Sequence, residues 1–137
     1  MRLERNYTEL EKFDTLEQRF AYLRLNGVVG RDTFGFDRHI NQRFYRSREW
    51  KNVRDFVIVR DNGCDLGVIG YEIHDSLLIH HMNPMGIQDI LHGADWVLDP
   101  EYLITTTHST HNAIHYSDET LLPRVVTDRA PGDTKLW

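Results

Sequence analysis

Four histidines in two pairs constrain this chain more than anything else in it. His80 and His81 close the run Leu77-Leu78-Ile79-His80-His81-Met82-Asn83-Pro84. His111 and His115 stand four apart in His108-Ser109-Thr110-His111-Asn112-Ala113-Ile114-His115. Residues four apart share one face of a helix, so a helix over 108–116 presents His111 and His115 like two prongs. The apolar run before His80 is short, which is the pattern of a buried strand. Neighbours on a strand point to opposite faces, a simple reason for His80 and His81 to do different jobs. A strand ending in two histidines, a loop, and a helix presenting two more can hold one metal ion. Three imidazoles bind it, and the fourth stays free to act as a base.

Bulk properties narrow the setting. At 137 residues the chain is the size of a single domain, taken here as 1–137. With 40% hydrophobic and 27% charged residues it has the composition of an ordinary soluble globular protein. Its apolar runs are far shorter than a membrane span requires, and the start, Met1-Arg2-Leu3-Glu4-Arg5, is charged with no hydrophobic stretch after it. The expected location is the cytoplasm, with no membrane partner. The single cysteine, Cys64, allows no internal disulfide, which fits a reducing compartment, and rules out a Cys-x-x-Cys zinc knuckle. The net charge of −5 argues mildly against a nucleic-acid partner. The charge is segregated, however. From Arg38 to Arg60 the bases are Arg38, Arg43, Arg46, Arg48, Lys51, Arg54 and Arg60, against only Glu49 and Asp55. That basic middle is the candidate phosphate-facing surface, with Arg43, Arg46, Arg48, Lys51 and Arg54 as its contacts.

Local signals order the rest. Thr8-Glu9-Leu10-Glu11 and Thr15-Leu16-Glu17-Gln18 both fit a capping box. Leu16, Phe20 and Leu23 continue the second at helical spacing, and Gly27 is placed to stop it. Phe36, Ile40 and Phe44 predict another helix, and Ser47 is placed to cap a short one from Arg48 to about Arg54, with Trp50 inward. Phe56-Val57-Ile58-Val59 is β-branched and apolar and reads as a strand. Asp61-Asn62-Gly63 reads as a hairpin turn and Val68 to Ile73 as the return strand. Leu77 to Met82 is expected to pair with Tyr102 to Thr106, with a short helix from Gly86 to His92 between them. Thr107 or Ser109 caps the last helix, and an extended tail follows Leu122. His39, His74 and His92 read as surface or turn residues.

The doubled histidine, the proline shortly after it and the His-x-x-x-His helix together resemble the HNH nucleases of the ββα-metal class, in the colicin-type arrangement. The resemblance runs from about Arg60 to about Tyr116. It implies an α+β fold: a ββα-metal core at 56–116, an N-terminal helical extension at 1–55 carrying the basic face, an additional β-hairpin, and a tail at 117–137. It implies His80, His111 and His115 as metal ligands and His81 as general base. His108 either holds the scissile phosphate or is simply exposed. Where relatives open the final helix with the second cysteine pair of a structural zinc site, this chain has Thr107 and Thr110, so its site must be held together without one. The family's middle Asn, which orients the base, falls at Tyr102 here, leaving Asn83 or Asn112 to take that role.

The reading that follows is a metal-dependent DNA endonuclease. Three neutral imidazoles favour Zn²⁺, Ni²⁺, Co²⁺ or Mn²⁺ over Mg²⁺. The turn Asp61-Asn62-Gly63-Cys64-Asp65-Leu66-Gly67, with Ile79-His80-His81-Met82-Asn83-Pro84, also resembles small HNH proteins of bacteriophages. That adds phage DNA processing or packaging, host cytoplasm, a homodimer and a packaging protein to the expectations. The rival is an HNH-like metal-binding module that docks on DNA or a packaging protein without cutting.

Overall fold

A computed structural model describes residues 4–25 and 38–123. In chain order its longer elements are α1 (Tyr7–Leu10), α2 (Leu16–Leu23), α3 (Arg38–Arg46), α4 (Arg48–Arg60), β1 (Leu78–His81), α5 (Ile87–Leu91), β2 (Leu103–Thr106) and α6 (His108–Tyr116). The fold is α+β: helices around a two-stranded antiparallel sheet. None of the described helices is long and apolar enough to cross a membrane.

The sheet sorts the molecule into two sides. β1 and β2 pair with His80 opposite Ile104 and His81 opposite Leu103. Cross-strand partners share a face, so His80 and Ile104 look one way while His81, Ile79 and Leu103 look the other. On the first side Leu10, Leu23, Leu25, Met82, Ile104 and Ile114 form a buried cluster, drawn from α1, α2, the strands and α6. On the second, Trp50 and Val57 of α4 pack on Ile79 and Leu103. Residues from the N-terminal side thus complete both cores, and the expected division at 55/56 falls inside α4.

Two helix starts follow the sequence. Thr15 caps α2 in a complete capping box with Gln18, and Ser47 caps α4, its Oγ accepting from the Trp50 N–H at 3.2 Å. Thr8 caps nothing, because Asn6 accepts the Glu9 N–H and α1 begins one residue earlier than Thr8. The stop at Gly27, the start at Phe36 and the tail beyond residue 123 lie outside the described residues.

The expected strand Phe56–Val59 is the last part of α4. Its residues follow the helical period, with Val57 fully buried and Phe56 and Val59 57% and 74% exposed. A strong N-cap and the burial of both Trp50 and Val57, two turns apart on one helix face, outweigh the β propensity of the run. The Asp-Asn-Gly signal is real but serves a different purpose. Asn62 and Gly63 both have positive φ, 56° and 65°, and their amides close α4 onto the carbonyls of Val59 and Ile58. This is a Schellman helix stop, not a hairpin. The expected return strand Val68–Ile73 is likewise not formed; a single bridge, Cys64 to Glu72, is all the pairing in that stretch. The sequence from 61 to 73 is a compact loop that reaches back to the sheet through its carboxylates.

Candidate metal centre

Three histidines meet between β1 and α6. The ring centroids of His80 and His111 lie 5.3 Å apart, those of His80 and His115 5.3 Å, and those of His111 and His115 4.3 Å. One nitrogen from each ring can be chosen so that all lie within 4.8 Å of one another. The three side chains are close enough to bind one metal ion.

Each prong is set by local structure. β1 turns His80 toward α6 and buries it to 1% exposure. Thr107 caps α6, accepting the Thr110 N–H at 3.0 Å, and the helix buries Thr110, Ala113 and Ile114. That burial fixes the rotation of α6 and leaves His111 and His115 half-buried on the side that meets His80.

The donor set fits a divalent cation. His80 Nε2 is buried and has no hydrogen-bond partner among the described residues. Such an atom costs about 1–3 kcal/mol unless something satisfies it, and a cation does so. Burial, followed by the neighbouring His111 and His115, holds the His80 ring well below its usual range. Burial, followed by His115, pushes His111 down to about 4. Both are therefore neutral at pH 7, the form that ligates.

His81 stands apart from this cluster. Its ring lies on the indole of Trp50, with centroids 5.3 Å apart and planes 17° apart. Tyr45 and Trp96 meet it edge-on at 6.4 and 6.5 Å. Its Nε2 lies 3.2 Å from the carbonyl oxygen of Val97. A carbonyl only accepts, so Nε2 carries the proton and Nδ1 keeps its lone pair. Burial pushes His81 down to about 4, against the opposing effect of the Val97 bond.

A carboxylate clasp holds the helix to the loop. Asp65, 1% exposed, accepts from the Gly67 N–H, the Thr107 N–H and the hydroxyls of Thr107 and Thr110. Thr107 and Thr110 are the positions at which a structural metal was ruled out, and hydrogen bonds to Asp65 do the fastening. Asp61 acts similarly on the strand: it accepts from Thr105 N–H at 2.9 Å and pairs with Arg60 at 2.8 Å. Arg60 donates to the carbonyls of Pro100 and Leu103 and lies over the Tyr7 ring. It is therefore a structural cation, unlike the exposed Arg43, Arg46, Arg48, Lys51 and Arg54.

The remaining expected site residues are placed as follows. His108 is exposed in the first turn of α6. Arg43 and Arg46 on α3 and Arg48, Lys51 and Arg54 on α4 are all exposed, on helices that cover the His81 side of the sheet. Asn112 is exposed beside His111. Asn83 is 1% exposed, but it does not bind its own loop. Its Oδ1 accepts from the Glu4 and Arg5 amides, and its Nδ2 donates to the Arg5 carbonyl. It fastens the N-terminal segment, while the Val97 carbonyl is the group that meets His81. Asp65, Asp61, Trp50 and Val97 were not foreseen as site residues. Only Asp65 had a signal, in two hydroxyls that needed an acceptor. Comparison with protein-family models, curated proteins and solved structures found no match.

Proposed function

We propose that this chain is a metal-dependent endonuclease of the HNH kind, hydrolysing DNA phosphodiester bonds. The observation that supports it most is the division of labour across β1. His80 joins His111 and His115, while His81 stays outside that cluster and presents an unprotonated Nδ1. His80, His111 and His115 hold the ion, with Zn²⁺, Ni²⁺ and Mn²⁺ ahead of Mg²⁺ for a three-imidazole set. When bound, it supplies charge stabilisation at the phosphate and the departing 3′ oxygen. His81 takes the proton from the attacking water at Nδ1, and the Val97 carbonyl steadies the charge that the ring then carries. Arg43, Arg46, Arg48, Lys51 and Arg54 grip the DNA backbone, and His108, one turn before His111, is placed for the scissile phosphate. A double-strand cut requires a homodimer or two successive nicks. Phage DNA processing or packaging in the host cytoplasm is the setting proposed.

One observation favours a second reading. His81 is walled by Trp50, Tyr45 and Trp96, which suits a metal-binding module that docks on DNA or a packaging protein without cutting.

Incubation of supercoiled plasmid with the purified chain and Mn²⁺, Ni²⁺, Zn²⁺ or Mg²⁺ separates the two. Relaxation or linearisation that depends on added ion, and stops with chelator, is the expected result. Bound metal with intact plasmid under every ion supports the docking module instead.

A further inference from the structure

We propose that Trp50 is a positioning residue for His81: the indole fixes the plane of the imidazole so that the Val97 carbonyl can select its tautomer. This rests on the reading of His81 as the base. A histidine side chain has two torsions, and its ring can present either nitrogen in either of two flipped orientations. One hydrogen bond from Nε2 to Val97 O, at 3.2 Å, sets a direction but leaves rotation about the bond. The stack on Trp50 removes that freedom, since planes 17° apart hold the imidazole to one plane, and within that plane the bond to Val97 O distinguishes the two flipped orientations.

The indole is itself immobile. Trp50 is 5% exposed, sits in the first turn of α4, and packs on Phe44 at 5.5 Å and Tyr45 at 5.0 Å between centroids. Its backbone N–H is held by Ser47 Oγ. A rigid helix start thus reaches across the sheet face to hold a side chain of β1, and the carbonyl completing the grip comes from the Asp95–Leu98 turn. Orientation of this kind is lost without loss of the base itself, so its removal acts on turnover more than on binding.

The test is nitrogen-15 NMR of the imidazoles in the full chain, beside plasmid cleavage. In the unmodified protein His81 should be the Nε2–H tautomer in one slowly exchanging state. Trp50→Leu should give averaged tautomer signals for His81, with those of His111 unchanged, and a roughly tenfold lower kcat at unchanged KM. Trp50→Phe, which restores a flat face, should recover both. A His81 found as the Nδ1–H tautomer in the unmodified protein overturns the proposal even if Trp50→Leu does not fold. So does a Trp50→Leu protein with wild-type His81 signals. A protein that never cuts DNA refutes the nuclease reading alone, because the NMR result stands without it.

Discussion

His80 and His81 are adjacent in the chain and belong to opposite sides of the sheet. The His80 ring meets His111 edge to face at 5.3 Å, while the His81 ring lies on Trp50. The two rings therefore pack against different side chains. In His81→Ala the metal affinity should match the unmodified protein. On the proposed nuclease reading, cleavage should fall by about 10²–10⁴-fold, the usual contribution of a positioned base. Cleavage rates at saturating metal check this, and a loss of metal binding in this variant contradicts it.

The Asp65 clasp predicts a stability effect with no ligand in it. Asp65→Ala leaves the hydroxyls of Thr107 and Thr110 and two amides without their acceptor, at a cost of about 3 kcal/mol. Gly67→Ala attacks the same joint from the other side: a Cβ there would meet Thr110 Cγ2 at 2.6 Å, costing roughly 1–3 kcal/mol. Urea unfolding of both variants measures these losses.

Asn83 clips residues 4 and 5 by three hydrogen bonds. Asn83→Ala should cost about 1–3 kcal/mol and release the Glu4 and Arg5 amides to fast hydrogen exchange. Protection that survives the substitution would show that the segment is held by other contacts.

The buried imidazoles set a pH dependence for the chelator-treated protein. Burial holds His81 and His111 at about 4 and His80 well below the ordinary value of 6.5. Unfolding returns them to about 6.5, so the unfolded chain binds more protons in between. Their contribution to stability is fully present above 6.5 and is lost as pH falls toward 4. Asp65 has the opposite sign: burial raises its carboxyl above 3.8, so its contribution is present below 3.8 and lost as pH rises through the raised value. In EDTA, Tm should therefore fall steadily from about pH 6.5 to about pH 4.5. A flat Tm over that range would mean that these rings titrate normally in the folded chain.

The pairing of 80 with 111 and 115 was legible because each prong obeys a local period. A strand alternates and a helix repeats every four residues, so the direction of three side chains could be written down before their distances. The α4 helix was not legible over Phe56–Val59. Its β-branched run is decided by tertiary burial of Trp50 and Val57 and by the Asn62-Gly63 stop, and a short apolar run has no period of its own to display. The surroundings of His81 were hidden for a related reason. Trp50 and the Val97 carbonyl come from distant parts of the chain, and a backbone carbonyl has no sequence signature.

Calorimetric titration of Zn²⁺ into the metal-free protein decides whether His80, His111 and His115 together bind one cation. One ion per chain is expected, with affinity lost or greatly weakened in His80→Ala and in His111→Ala and retained in His81→Ala. One-to-one binding of wild-type strength in His80→Ala or His111→Ala would contradict it.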